Sequence, residues 1–412
     1  MAKLILSICF CVIARSQNFG QSQSIDFYIT MALQSSPLLK DIQNQVELNH
    51  YDSLLIRAAA KPQVNGNSFN NYAPVVKGIG YDNAITNGAN INALISVSKQ
   101  IINKKNLASQ FENLQIQNLS LKNNKILNEQ DLIRTIIAQY ITAYSSLQQL
   151  NFNKEVNTLL TKEEGILKKL TQSNVYKQTD YLAFLVTMQQ QNLLVKQTAI
   201  QYKNDLAYLH YLCGITDTSS TSLQNPNLHF NQIPTISQTP VYKQFEIDSL
   251  KLENNKKLIE VNYRPKMTMY ADGGFYSSMA YTPYKNFGTS VGFNLTVPIY
   301  DGQQKKVLYS KIAVSESTRK NYKTFFQNQF QQQIDQLIQQ LRYTDELIND
   351  INNQLKFSQK LIDVNGKLLE TGEVRITDYI LALNNYINVK NLLTQNNTNR
   401  LQVINQLNYW NK

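Results

Sequence analysis

The sequence predicts a mixed α and β chain in which long antiparallel coiled-coil helices flank two short β-hairpins, with the whole arrangement occurring twice. Three observations predict it. The first is an internal repeat: Ser36-Pro37 and Lys61-Pro62 recur as Thr239-Pro240 and Arg264-Pro265, each proline 203 positions on (37 to 240, 62 to 265). Ile101-Ile102-Asn103 matches Ile299-Tyr300-Asp301, and Thr179-Asp180-Tyr181 matches Thr377-Asp378-Tyr379, each 198 positions on (103 to 301, 180 to 378). One duplicated unit with a single gap of about five residues between Pro62 and Ile101 accounts for all four anchors. The second observation is the proline distribution. None falls between Pro74 and Pro226 or after Pro298, which leaves room for helices far longer than the usual three or four turns. The third is a clean alternation of apolar and polar residues in the segments between those tracts.

The first 16 residues read as a secretory leader. Lys3 supplies the charge, Leu4 to Ile13 is mostly apolar, and Ala14-Arg15-Ser16 is a small-x-small site before Gln17. That run is too short to span a bilayer as a helix. Removing the leader takes Cys9 and Cys11 with it and leaves Cys213, which excludes an intrachain disulfide and a thiolate metal cluster. Lys and Arg exceed Asp and Glu by 40 to 29. These charges are scattered singly instead of forming a stripe, so no nucleic-acid partner is expected. The many Asn and Gln residues fall on the polar faces of periodic segments and read as surface composition.

The long helices carry heptads. In the second copy Ile334, Leu341, Ile348, Leu355, Ile362 and Leu369 recur every seven residues, with Leu337, Thr344 and Ile351 at the companion position. In the first copy the stripe is Leu119, Ile126, Ile133, Tyr140 and Leu147, flanked by Ile136, Ala143 and Leu150. Each stretch predicts one helix, from about Asn103 to Leu170 and from about Gln303 to Leu369, roughly 100 Å long. Shorter returning helices follow, with stripes Met188, Val195, Tyr202, Leu209 and Tyr379, Tyr386, Leu393, Leu407. Pro37 to Ala60 and Pro240 to Tyr263 predict two further helices before the strands.

Phe287, Val291, Phe293, Leu295 and Val297 alternate with Gly288, Ser290, Gly292, Asn294 and Thr296. Met267, Met269, Ala271 and Phe275 oppose Thr268, Tyr270 and Asp272, while Ile91, Ala93, Ile95 and Val97 oppose Asn92, Ser96 and Ser98. Val64 to Tyr72 is the weakest of the four strands. Strands of about 10 residues, apolar on one face only, are the transmembrane β-barrel pattern, and Tyr276, Tyr281 and Tyr284 put aromatics near a hairpin tip. Four strands are too few to close a barrel, and open edges cannot sit in lipid. Closure by two or three copies is therefore expected.

In this order, the Ser36-Pro37 and Thr239-Pro240 helix openings, the Pro62 and Pro265 helix-to-strand exits and the turn motifs give the chain its resemblance to the TolC-type outer-membrane efflux proteins. Gly372-Glu373-Val374-Arg375-Ile376-Thr377-Asp378 fits that family's Gly-x-Val-x-x-x-Asp helix turn. Asn174-Val175-Tyr176-Lys177-Gln178-Thr179-Asp180 keeps the Asp, with Asn for Gly and Tyr for Val. Asn tolerates the left-handed backbone that Gly otherwise supplies. The resemblance implies a homotrimer with a 12-stranded barrel in the outer membrane and an α-helical barrel through the periplasm. It also implies a periplasmic adaptor protein and an inner-membrane RND or ABC transporter as partners, and no cofactor. The first copy then spans 17–225 (hairpin about 63–101, turn about 171–180). A linker follows at 226–239, and the second copy spans 240–412 (hairpin about 266–299, turn about 370–378).

No catalytic constellation is present. His50, His210 and His229 are isolated, and Gly273-Gly274 lies inside a strand, where it relieves packing or bends the strand instead of cradling a phosphate. The candidate site is the pair of helix turns. By resemblance Asp378 narrows the tunnel entrance, and three copies would form a ring of charge that binds cations and repels anions; Leu381 replaces the family's second aspartate. Arg375 and Lys177 are candidates for ion pairs holding the end shut, and Asn174, Val175, Gly372 and Val374 for contact with the adaptor. Asp180 and Asp378 equally suit the N-cap of a returning helix, and Arg375 and Lys177 equally suit solvated helix-tip charges. The rival class is a periplasmic coiled-coil adaptor or scaffold, whose strands would form compact domains without an outward apolar band.

Overall fold

A computed structural model describes residues 22–74, 76–80, 89–101, 104–217, 221–230, 232–277 and 285–411. The expected leader, Cys9, Cys11, Ile102, Asn103, Tyr281 and Tyr284 lie outside the described residues. Helices α1 (Ile25–Ser35) and α2 (Pro37–Ala59) precede strands β1 (Gln63–Asn67), β2 (Asn70–Tyr72) and β3 (Ala89–Ile101), followed by α3 (Lys104–Gln172) and α4 (Gln178–Cys213). A short 3-10 turn (Ile236–Gln238) then leads to α5 (Pro240–Asn262), β4 (Lys266–Ser277), β5 (Phe287–Thr296), α6 (Gln304–Thr371) and α7 (Ile376–Tyr409). Contacts divide the chain into two units, one of Met1–Ser36, Glu129–Pro234 and Gln332–Lys412, the other of Pro37–Asn128 and Thr235–Gln331.

The second of these units holds the sheet, which is antiparallel throughout in the order β1/β2, β3, β4, β5. Pro62 and Pro265 stand one residue before β1 and β4, where the missing N–H cannot extend the helix behind them. Side-by-side pairing puts Val64, Val97, Ala271 and Val291 in one row and Lys99, Met269 and Phe293 in another. One face is therefore largely apolar, and among the described residues nothing covers it: Val291 is 84% and Phe293 67% exposed. On the opposite face Ser96, Asp272 and Ser290 form a row. The first strand is broken because Asn92 intrudes on it: its Oδ1 accepts from the Phe69 N–H at 2.9 Å, and its O accepts from Ser68 Oγ. Pairing keeps the same register on both sides of the break. β5 stops at Thr296, so Val297, expected to continue the apolar face, lies beyond the strand.

Gly274 has φ 151°, and a Cβ there would overlap the Ala93 carbonyl oxygen on β3. The glycine is needed for close strand approach. In the same unit Thr239 caps α5 by accepting from the Tyr242 N–H, with Pro240 in the first turn. Asp301 caps α6 through the N–H groups of Gln303 and Lys305.

The heptad reading of α6 matches the structure, since Ile334, Leu337, Ile351, Ile362 and Leu369 are buried and Leu341, Thr344, Ile348 and Leu355 half-buried. In α3 it needs correction. Leu119 and Ile126 are exposed, and the inward line is Ser109, Ile116, Asn123 and Gln130, leading to Ile137. Polar residues occupy that line because each finds a partner, as when Asn123 Nδ2 donates to Pro240 O at 2.8 Å and to Gln244 Oε1 at 3.1 Å.

In the helical unit, α1 was not expected from the sequence. It packs Tyr28 and Ala32 against Ile136, Tyr140, Leu206, Leu209 and Cys213. Tyr140 Oη donates to both Gln23 O and Gln224 O, tying the N-terminal segment to the chain after α4. His210 is a packing residue, stacked on Tyr28 and bonded to Asp217 O. Burial pushes the Cys213 thiol up to about 12 and keeps it protonated.

A Gly274→Ala chain should melt at lower temperature, with hydrogen exchange accelerated in β3 and β4 and unchanged in α4. Uniform protection across the sheet would show that the close approach is not required.

Candidate functional site

Both helix turns in the helical unit are built the same way. After α3, Asn174 adopts φ 57°, its N–H donates to Thr171 O, and the Val175 N–H donates to Leu170 O. After α6, Gly372 adopts φ 78°, its N–H donates to Leu369 O, and the Glu373 N–H donates to Leu368 O. Each pair of bonds is a Schellman closure, which satisfies the carbonyls left at a helix end. Gly372 carries a second constraint, because a Cβ would collide with Val175 Cγ1 of the other turn.

The turns are also tied to each other. Tyr176 Oη shares its proton between Leu369 O at 3.1 Å and Val374 O at 2.9 Å. Tyr176 stands where the second copy has Val374, so this asymmetric position supplies the cross-link. The sequence marked the substitution, but only the folded turns reveal its partners. Beneath them Leu160, Leu167, Phe184, Leu369, Ile376, Tyr379 and Leu383 close into one buried cluster.

Asp180 and Asp378 are the third residues of α4 and α7, and the N-cap positions belong to Lys177 and Arg375. The N-cap role expected for the aspartates is therefore corrected. They act on the exposed N–H groups of the first turn through their charge. Arg375 Nε and Nη2 donate to the two Asp378 carboxylate oxygens at 2.9 and 3.0 Å. The guanidinium is 81% exposed, so the pair adds little to stability. Asp378 raises the Arg375 pKa further above its ordinary value. Among the described residues no carboxylate lies within ion-pair distance of Lys177. The two turns bring Gly372, Val374, Val175 and Tyr176 together, and Val175 is exposed.

Glu163 lies deeper and was not expected. It sits three residues after Leu160 and four before Leu167, at apolar spacing along α3, and is only 3% exposed. Burial raises its pKa above the ordinary carboxylate range, Lys162 opposes the rise and Glu370 adds to it. Among the described residues no group of three His, Cys, Asp or Glu side chains is placed to hold a metal ion.

Neither a family model nor a curated protein sequence matches the chain. Solved structures do. CusC, described for conformational changes accompanying folding and transmembrane channel formation, is 14% identical with a TM-score of 0.75, over 97% of this chain and 95% of that one. The outer membrane protein VceC of Vibrio cholerae is 10% identical with a TM-score of 0.76, over 94% and 95%. The open state of the MtrE outer membrane channel of Neisseria gonorrhoeae is 13% identical with a TM-score of 0.73, over 94% and 88%. The chain thus has a TolC-like fold, long antiparallel helices with an antiparallel sheet of four strands.

Tyr176→Phe should cost about 1 kcal/mol, the usual net worth of such a hydrogen bond. Hydrogen exchange should accelerate at the Gly372 and Glu373 amides while the rest of α7 stays protected. Unchanged exchange there would mean that the hydroxyl does not hold the turns together.

Proposed function

We propose that this chain is an outer-membrane exit duct of an efflux or type I secretion system, passively conducting substrates from the periplasm to the outside. The observation that carries the reading is the sheet: among the described residues its largely apolar face is uncovered and its outer strands β1/β2 and β5 each have one unpaired edge. Backbone groups at such edges cannot be left unpaired in lipid. Joining β5 of one copy to β1 of the next removes every edge, and three copies of four strands make 12. No described helix is long and apolar enough to cross a membrane. Leu119, Ile126 and the exposed stripe Leu182, Val186, Leu193 and Ile200 would be covered by neighbouring copies. The structural likeness to CusC, VceC and MtrE supports the same reading. An adaptor or scaffold leaves the bare apolar face of the sheet unexplained.

In this homotrimer the two halves derive from one duplicated unit. The helix turns face a periplasmic adaptor protein, coupled to an inner-membrane RND or ABC transporter. Val175, Val374, Asn174 and Gly372 form the contact surface for the adaptor. Asp378 lines the narrow end, and Arg375 neutralises part of its charge while that end is closed. Asp180 takes the corresponding place in the first turn, and Lys177, which meets no described carboxylate, is a solvated charge at the turn and forms no ion pair there. The Tyr176 cross-link keeps the two turns from parting.

Val291→Arg places a charge on the lipid face and should cost about 2–4 kcal/mol near the midplane. It should abolish the heat-modifiable membrane trimer, whereas Asn294→Arg on the opposite face should insert normally and shift ion selectivity. Equal insertion of both variants would exclude a lipid-facing sheet. Asp378→Ala and Arg375→Ala should each raise single-channel conductance in planar bilayers by a factor of two or more, on the order of the barrier a charge ring imposes. Conductances equal to the parent would place the constriction elsewhere.

A further inference from the structure

The cluster beneath the helix turns opens on one side into a cavity of about 470 Å³ between α3, α6 and α7, within the size range of small-molecule sites. Glu163 and Tyr379 are among its lining residues, and each has an oxygen closed to solvent. Among the described residues Glu163 Oε2 and Tyr379 Oη have no hydrogen-bond partner, and the two side chains are 3% and 1% exposed. A buried acceptor without a partner costs about 1–3 kcal/mol, so this pair is either a defect or a receptor. The opposite oxygen of Glu163 meets only Lys162 Nζ, at 4.0 Å. That ammonium swings out to the rim, 3.5 Å from Glu370 Oε1.

The walls select the rest of a ligand. Phe152 and Tyr386 meet edge to face, ring centroids 5.7 Å apart, and Val156, Leu159 and Ile362 complete an apolar side. The charged groups lining the cavity with Glu163 are Glu155 and Lys162 from α3, and Asp363, Lys367 and Glu370 from α6. Counting Glu163, carboxylates outnumber ammonium groups four to two. Tyr379 and Tyr386 are the titratable groups contributed by α7, and burial pushes the Tyr379 phenol up, with the Glu163 charge adding to the rise. It therefore stays neutral. Packing α4 against this cluster brings Phe184, which is uncharged.

We propose that this cavity binds a small primary arylalkylammonium ion. In the free protein both oxygens are closed to solvent, so binding turns the two side chains toward the cavity; the –NH3+ group then donates to Glu163 Oε2 and Tyr379 Oη, and the ring lies against Phe152 and Tyr386. The ammonium supplies the donors that both buried oxygens lack, and the aromatic faces stabilise the cation. Neither a neutral nor an anionic analogue does this. Protonation of Glu163 removes the attraction, so affinity rises as pH rises through its elevated pKa. By linkage, binding expels the proton. The inference concerns a folded protomer and does not rest on the channel reading.

The test is isothermal titration of the purified full chain in detergent with phenethylammonium, phenethyl alcohol and phenylacetate. Phenethylammonium alone should bind, releasing protons to the buffer as the pH is lowered toward the raised Glu163 pKa. Glu163→Gln should weaken it about tenfold or more and Tyr379→Phe about threefold or more, as expected for charge-assisted bonds. Glu370→Gln at the rim should change it less than about threefold, as exposed pairs do. Equal binding of the alcohol, no loss in Glu163→Gln, or an equal loss in Glu370→Gln would overturn the proposal. Glu163→Gln is also expected to melt higher than the parent at neutral pH, because it removes a buried charge. A lower melting point together with lost binding would assign Glu163 to the fold and overturn its role as a receptor.

Discussion

Leu160, Leu167, Leu369, Ile376 and Tyr379 meet in one closed apolar cluster, and the geometry of both helix turns follows from that packing. The cluster sets where α3 and α6 end relative to the start of α7. This brings Tyr176 within hydrogen-bond reach of Leu369 O and Val374 O. It also holds Gly372 so close to Val175 that no side chain fits. The same packing buries Glu163, whose charge has no compensating hydrogen bond at one oxygen. Apolar burial at about 25 cal/mol per Å² can carry one such penalty where several large side chains are buried together.

The sheet obeys a different constraint. Its strands satisfy one another through backbone bonds, but among the described residues its apolar face is bare and its outer edges are unpaired. A monomer in water would expose both. This is why the sheet, more than any single residue, directs the functional reading toward an assembly in lipid. The helix turns differ from the sheet in this respect. There polar and charged groups stand in water, where Arg375 and Asp378 can rearrange at little energetic cost.

Some of the candidate site was legible from residue types alone. Asn174 and Gly372 mark left-handed turns because few other residues adopt that backbone, and Pro62 and Pro265 mark helix exits because proline lacks the donor a helix needs. The position of Asp378 was legible, while its role as a cap was misread by three residues. Helix ends are set by hydrogen bonds that residue type does not fully specify. The inward line of α3 was misplaced for a related reason. Asn123 looks like a surface residue until its partners Pro240 and Gln244 on another segment are known.

By itself the sequence determined the periodicities, namely which strand face is apolar, which residues of α6 point inward, and where long helices must stop. These follow from local sterics and from the fixed geometry of helices and strands. Tertiary structure decided what depends on distant partners: the broken first strand created by Asn92, the cross-link made by Tyr176, and the burial of Glu163 beside Tyr379. Each requires two segments far apart in the chain to meet, and no local pattern encodes that meeting. Asn92 and Glu163 read as ordinary residues in the chain, Tyr176 only as a departure from its repeat mate Val374, and all three acquire their roles when packing supplies their surroundings.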